Sequence, residues 1–432
     1  MKQAVLYICY YNITEPLVQS QVVSYLRDLA KRGFPLHLLT FERENLSQDQ
    51  RRHIEDELDR DGIRWHSLRY HQHPSLLATL YDIVAGTLAS FFICRKHRIN
   101  LIHARSYVPG VMALVLKRVT GCKMLLDVRG LLADEYADAG HWTRSSLKFR
   151  LTKRMERTLF RSADALVVLT NTIRKDLTER DEALRHRDDD IEVIPCCANI
   201  EKFSISASER QAFRRARGWD NRRVLTYVGK FGTWYLAREM ANFFAAAQMI
   251  MPNLFFQILT QADSEPIREA LEAAGVGRDD YDIRFAPPNE VPLVLASSDA
   301  GISFIRQCYS KRSSSPTKVG EYLASGLPVV ANAGIGDCDR MLLDNHIGVI
   351  VDSFHGHEFQ QAAQELLSLM QEVGIAGRCR KVAERELSMA DVGGPRYAAI
   401  YKRLLTDGEL VLACHDAVSV DPASSLESNV QD

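Results

Sequence analysis

The chain has 432 residues, beyond the roughly 250–300 at which a single hydrophobic core stops growing, so two domains are expected. Apolar residues make up 46% and charged residues 25%, the balance of a globular protein and not of a disordered or fibrous one. With 54 basic and 55 acidic residues the formal charge is −1, so no global field points to nucleic acid, and no such partner is expected.

The first residues, Met1 to Tyr11, open on a strand-like apolar run and lack the basic region and cleavage site of a signal peptide. Nine cysteines, none in a C-x-x-C pair, read as reduced thiols in a cytoplasmic protein. Candidate strands lie at Ala4–Tyr10, Leu36–Phe41, Leu101–Ala104, Met124–Val128, Ala165–Leu169 and Glu192–Pro195. Helical patterns such as Gln19–Arg32 and Pro109–Val119 separate them. Near-continuous apolar strands alternating with helices predict a parallel sheet covered on both faces. The longest apolar stretch, Leu76–Cys94, approaches the about 20 residues of a membrane span. Asp82 lies inside it and strands flank it, so it is read as a buried core helix.

The pattern restarts after a charged stretch, Arg214–Arg223. Strands are expected at Val224–Val228, Leu254–Leu259, Ile283–Phe285, Gly301–Phe304, Val329–Ala331 and Gly348–Val351. The reading is α/β: two facing Rossmann-like, doubly wound domains with a cleft between them, spanning residues 1–205 and 206–390. A helix over 391–406 is expected to pack back toward the first domain. The polar stretch 407–432 is expected to be a disordered tail.

One segment carries the strongest local signal: Ser315-Pro-Thr-Lys-Val-Gly-Glu-Tyr-Leu-Ala-Ser-Gly-Leu-Pro-Val-Val330. Ser315 reads as a helix N-cap, Pro316 as the first helical residue and Gly326 as the stop. A helix N-terminus facing a cleft attracts anions, and Lys318 adds a full positive charge there. Glu321, one turn further on, is placed to accept hydrogen bonds from a sugar diol. The same residues also suit a well-capped surface connection with a solvated Lys–Glu pair.

Here the sequence resembles the retaining glycosyltransferases of the large family 4, which have the GT-B architecture of two facing Rossmann domains. The form seen is Pro-x-Lys-x-x-Glu, as in a subgroup of that family. Glu321 falls where the family has a glutamate that binds the donor ribose, and a second glutamate of many members is replaced by Ser313. Tyr227-Val-Gly-Lys-Phe-Gly-Thr-Trp-Tyr235 resembles the turn that opens the donor domain, with Gly229 allowing phosphate approach and Lys230 neutralising it. A second basic residue of relatives would fall at Tyr235. Val193-Ile-Pro-Cys-Cys-Ala-Asn-Ile-Glu-Lys-Phe203 resembles the signature that ends the acceptor domain.

The resemblance thus implies an acceptor domain followed by a donor domain. It implies donor binding by Gly229, Lys230, Ser315, Thr317, Lys318 and Glu321. It places His103, Arg105, Asp127 and Arg129, at two strand ends of the first domain, as catalytic-site groups. A buried His103 and an Asp127–Arg129 structural pair remain open alternatives. Lys311 and Arg312 add charge beside the donor pocket, and Ser20 and Gln21 stand near the first strand-to-helix turn. No metal and no cofactor are expected, because Lys, Arg and helix N-termini supply the charge that a leaving diphosphate needs. The run Asp188–Asp190 reads as a surface turn.

The implied activity is retaining transfer of a hexosyl group from a nucleotide-sugar to a glycan or lipid-linked acceptor in surface polysaccharide biosynthesis. A sugar-nucleotide 2-epimerase and a non-catalytic nucleotide-sugar binding protein are the rivals. A dehydrogenase is disfavoured, since no G-x-G-x-x-G follows the first strand. Residues 143–161 carry seven basic residues against Glu156, with Leu147, Leu151, Met155 and Leu159 as an apolar stripe. Such a basic amphipathic helix suits either an anionic cytoplasmic membrane face or ordinary packing on the sheet.

Overall fold

The computed structural model describes residues 3–417 apart from 44–45 and 74. It contains two parallel sheets. The first has seven strands in the order β3-β2-β1-β4-β5-β6-β7. They are β1 (Ala4–Cys9), β2 (Leu36–Glu42), β3 (Ile63–Arg69), β4 (Ile99–Arg105), β5 (Lys123–Asp127), β6 (Ala165–Val168) and β7 (Ile191–Val193). The second has six, in the order β10-β9-β8-β11-β12-β13. These are β8 (Arg223–Val228), β9 (Leu254–Leu259), β10 (Tyr281–Arg284), β11 (Ala300–Ser303), β12 (Val329–Asn332) and β13 (Gly348–Val351). Strand order reverses between β1 and β4 and between β8 and β11, the places where this kind of sheet opens a crevice for ligands.

Alternate residues of one strand enter different cores. Val5, Tyr7 and Cys9 of β1 pack with the helix Ser24–Lys31 and the C-terminal helix, while Ala4, Leu6 and Ile8 face helices on the other side. Near-continuous burial on both faces explains why these strands read as unbroken apolar runs. The strand absent from the sequence reading, β3, is an edge strand paired only with β2. It buries Ile63 and Trp65 but leaves its other positions partly or fully exposed, so its apolar content is low.

The chain passes between domains twice. Ala198 donates to the Leu387 carbonyl and Met389 donates to the Ala198 carbonyl, so the two crossings are bonded to each other. The C-terminal helix, Gly394–Ala417, then lies on the first domain, burying Tyr397, Ile400, Tyr401 and Leu404 in its core. It runs to Ala417, into the stretch read as a disordered tail: the apolar Leu410–Cys414 segment continues the helix beyond the polar Thr406–Glu409 that suggested its end. Residues 418–432 lie outside the described residues.

Two helix expectations change. The helix Ser75–His97 is not a buried core helix. It buries Ala78, Asp82, Gly86, Ser90 and Cys94 and packs Ile83, Phe91 and Ile93 partly against the core, but turns many large side chains outward, with Leu76 72% and Phe92 68% exposed. It is long and apolar enough to cross a membrane. The small inward residues allow close approach: a Cβ on Gly86 would lie 2.8 Å from both Met112 and Phe41. In the basic helix Leu147–Ser162 only the later part of the stripe meets the core, since Leu159 is buried while Leu147 and Leu151 are exposed.

Tyr322 fixes the mouth of the second sheet. Its hydroxyl accepts from the Val228 amide at 3.0 Å and donates to the Ile302 carbonyl at 3.3 Å, joining the ends of β8 and β11. Its ring occupies the space beside Gly301, where a Cβ would lie 2.4 Å from the ring. Gly301→Ala therefore overpacks this junction and is expected to cost about 1–3 kcal/mol. Urea unfolding monitored by circular dichroism measures the loss, and wild-type stability in the variant would contradict this packing account.

Candidate active site in the interdomain cleft

The segments that follow the carboxyl ends of both sheets meet each other. The Ser310 amide donates to Asp138 at 2.9 Å, Lys311 pairs with Glu135 at 3.2 Å and Arg312 with Asp176 at 3.1 Å. The Asn171 and Thr172 amides donate to Asp337 at 2.6 and 3.0 Å. Lys311 also lies 3.8 Å from the centroid of Trp234. These bonds draw the two sheets' ligand-binding ends together.

On the second domain's side, β8 ends in Gly229, whose φ of +135° is one that side-chain-bearing residues rarely adopt. Lys318 lies directly beneath it. Its ammonium is buried between two aromatic faces, 4.0 Å from the Tyr227 centroid and 3.8 Å from that of Tyr235. It has no hydrogen-bond partner among the described residues. Burial pushes the Lys318 amine well below the usual lysine range, against the pull of Glu321. A Cβ at position 229 would come within 2.9 Å of this nitrogen, so glycine leaves open the way to it. Burial also pushes the half-buried Glu321 carboxyl up, to about 7, although Lys318 acts in the opposite direction.

The helix carrying both residues is Thr317–Ala324, and its start differs from the sequence reading. Pro316, not Ser315, occupies the cap position, and no side chain caps the helix. The Ser315 hydroxyl instead accepts from the Cys196 amide at 3.0 Å and ties the helix start to the domain linker. Thr317 opens the helix with its backbone N–H groups unoccupied by a cap, which suits an anion at that end. Lys230 is exposed beside Gly229, and its carbonyl accepts from the Tyr227 hydroxyl at 2.9 Å. Gly229, Lys230, Lys318 and Glu321 thus surround one mouth, while Ser315 acts on the backbone behind it.

Across the cleft, β4 and β5 bring His103, Arg105, Asp127 and Arg129 into one cluster. Arg105 lies 3.3 Å and Arg129 3.4 Å from the Asp127 carboxylate, and His103 Nε2 lies 3.9 Å from it. His103 Nδ1 and the Tyr401 hydroxyl are 2.8 Å apart. Burial alone would raise the Asp127 carboxyl, but Arg129, His103 and Arg105 overcome it and hold the group well below the usual carboxylate range. Burial lowers the His103 imidazole in spite of Asp127. The cluster therefore holds a carboxylate between two guanidinium groups, with a neutral histidine anchored to the C-terminal helix. Arg129 is its most accessible member and also reaches Gln21 at 3.4 Å and the Cys196 sulfur at 3.1 Å. Ser20 is exposed, whereas Gln21 is buried and donates to the Cys197 carbonyl at 2.9 Å.

Tyr227, Trp234, Glu135 and Tyr401 were not singled out in the sequence as site residues. They are apolar or acidic partners of basic groups, and only the folded chain brings them together. Position 235 held a usable signal: an aromatic residue stands where a cation would fall in the relatives, and it faces the cation supplied by Lys318 instead. Among the described residues no group of three or more His, Cys, Asp or Glu side chains is arranged to hold a metal ion.

Two Rossmann-like sheets whose carboxyl ends meet across a cleft define the GT-B architecture. Residues 18–197 match the model of the Glycosyl transferase 4-like domain. A glycosyltransferase from Rickettsia africae has the same fold, with a TM-score of 0.68 at 15% identity over 94% of this chain and 99% of that chain. HepE from Anabaena in complex with UDP-glucose has a TM-score of 0.66 at 13% identity, over 94% of this chain and 99% of that chain. WaaG, a glycosyltransferase involved in lipopolysaccharide biosynthesis, gives 0.63 at 16% identity over 92% and 99%. These likenesses establish the fold. No curated protein sequence matches the chain.

Glu321 makes a pH dependence follow. Its folded pKa, about 7, lies above the ordinary 4.5, so its contribution to stability is fully present below 4.5 and is lost as the pH rises through 7. The ligand-free protein is expected to lose unfolding free energy across that window, and Glu321→Gln should remove that part of the slope. Thermal melts at a series of pH values measure both, and identical slopes would contradict the burial of this carboxyl.

Proposed function

We propose that this protein is a retaining glycosyltransferase that moves a hexosyl group from a nucleotide-sugar to a glycan or lipid-linked acceptor in surface polysaccharide biosynthesis, at the cytoplasmic face of the membrane. The observation that carries the reading is the buried, unpartnered Lys318 ammonium beneath Gly229, at the switch point of the second sheet. Burial disfavours the charged form of this lysine, with Glu321 as the opposing carboxylate, and a diphosphate placed over Gly229 would favour that form. The match of residues 18–197 to a Glycosyl transferase 4-like domain and the UDP-glucose held by HepE support the same reading.

In this reading Gly229, Lys230, Thr317 and Lys318 hold the diphosphate, Ser315 fixes the helix start and Glu321 accepts from hydroxyls of the donor. The bond from the anomeric carbon to the diphosphate oxygen breaks. A bond to an acceptor hydroxyl oxygen forms on the same face, and the acceptor proton leaves with the nucleoside diphosphate. Developing charge on the leaving group is met by Lys230, Lys318 and the start of the Thr317–Ala324 helix, so neither a metal nor a cofactor is required. Arg129 contributes positive charge from across the cleft, and His103, Arg105 and Asp127 set its position. The basic segment 143–161 brings the acceptor domain to an anionic membrane face.

Removing the Glu321 carboxylate deletes a charged acceptor, worth on the order of 1.5–3 kcal/mol of donor binding. Glu321→Ala is expected to abolish sugar transfer while its circular dichroism spectrum stays that of the wild type. Donor panels assayed by nucleoside diphosphate release, with product anomers assigned by NMR, test the proposal. Inverted product, epimerised donor without acceptor, or full activity of Glu321→Ala would each contradict it.

A further inference from the structure

The second sheet has a cavity at the end away from the cleft. It lies at the amino ends of β8, β11 and β12, between the helices Ala207–Ala216 and Ile375–Leu387, and has a volume of about 900 Å³. Ligands of open α/β sheets bind at the carboxyl ends of the strands, so the activity proposed above leaves this space unused. Strand β8 runs between the two places, from Arg223 at the cavity to Gly229 at the donor mouth. At roughly 3.3 Å per residue the separation is about 20 Å, too far for one small molecule to occupy both.

The charge of the cavity is unbalanced. Five arginines line it, Arg210, Arg214, Arg222, Arg223 and Arg380, against the carboxylates of Asp220 and Asp299. Three of the five are held by the fold. Arg210 and Arg214 lie 2.7 and 3.0 Å from Asp299 and donate to the carbonyls of Ala296 and Ser297. Arg222 lies 3.1 Å from Asp280. Even with Asp280 counted, five arginines against three carboxylates leave two positive charges in excess. The remaining two arginines pair with no carboxylate among the described residues. The Arg223 guanidinium reaches the Asn253 side-chain oxygen at 2.9 Å. Arg380 makes neither a hydrogen bond nor an ion pair among the described residues, although its Nε is buried. A buried N–H without an acceptor is destabilising, and a bound oxyanion would supply the acceptor.

Part of the wall is apolar. Leu327 and Pro328 come from the turn after the Thr317–Ala324 helix, and Ile375 opens the Ile375–Leu387 helix, whose start no side chain caps. We infer that this cavity binds a phosphate monoester of small-molecule size, with the phosphate on Arg223 and Arg380 and the body of the ligand against Leu327, Pro328 and Ile375. A monoester carries a charge of about −1.5 to −2 at neutral pH, which matches the excess of two. Guanidinium groups present paired N–H donors to phosphate oxygens, a geometry that an ammonium lacks. The volume falls within the roughly 300–1,000 Å³ of small-molecule pockets.

Calorimetric titration of the full chain with glucose 6-phosphate and with phenyl phosphate tests the inference, with glucose as the uncharged control. Excess UDP is present to keep the probes from the donor mouth, and the readout is independent of sugar transfer. Wild type is expected to bind at least one of the two esters, one molecule per chain, and not glucose. Arg380→Gln removes a side chain with no partner to lose, so its melting temperature should hold while ester affinity falls at least about tenfold. The double variant Arg223→Gln, Arg380→Gln should bind neither ester measurably. Lys318→Met, altered at the donor mouth, should bind the esters as wild type does. Wild type that binds neither ester, or Arg380→Gln that binds them as tightly as wild type, would overturn the inference. So would loss of ester binding in Lys318→Met, which would place the esters in the cleft.

Discussion

The Lys318 side-chain nitrogen, buried without a hydrogen-bond partner among the described residues, is the constraint around which the second domain's cleft is arranged. Burial in such a place disfavours the charged form of the amine, against the pull of Glu321, until an anion arrives. Two tyrosine faces, Tyr227 and Tyr235, supply what attraction they can. Gly229 keeps a side chain from sealing the nitrogen off, and its positive φ aims the backbone of the turn past it. Tyr322, on the same helix, clamps the ends of β8 and β11 so that the turn and the lysine keep their relation. Close packing of Gly301 against Tyr322 belongs to the same arrangement.

The first domain solves its charge problem in the opposite way. Asp127 is satisfied internally by Arg105 and Arg129, and His103 is fixed to Tyr401 of the C-terminal helix. The carboxylate needs no ligand to be paired, and its two guanidinium partners leave the network positive, with Arg129 nearest to the cleft. The C-terminal helix thereby joins the end of the chain to the site at its first switch point. Bonds of Ser310, Lys311 and Arg312 to Asp138, Glu135 and Asp176 then set the two halves against each other.

The architecture was legible in the sequence because strands buried on both faces appear as continuous apolar runs. The central strands of both sheets announce themselves that way, whereas the edge strands β3, β7 and β10, half in water, are mixed in composition, and β3 escapes the reading altogether. The Ser75–His97 helix misled for the complementary reason: an apolar composition tells how hydrophobic a helix is, not which side faces the protein. The regular recurrence of small residues from Ala78 to Cys94 carried that information. At the site, the positions of Lys318 and Glu321 were readable from their spacing on one helix, whereas the tyrosine cage and the Ser315 bond to Cys196 come from segments distant in sequence.

The central claim is that the Lys318 nitrogen becomes the counter-charge of a bound diphosphate. Since burial depresses its proton affinity in the free protein, an arriving diphosphate should restore it, and binding should draw a proton from solution. Calorimetric titration with UDP in buffers of different ionisation enthalpy, well above the Glu321 transition at about 7, counts that proton. The account predicts net proton uptake by the wild type and none by Lys318→Met, with weaker binding in the variant. Equal affinity and equal proton count in the two proteins would contradict it.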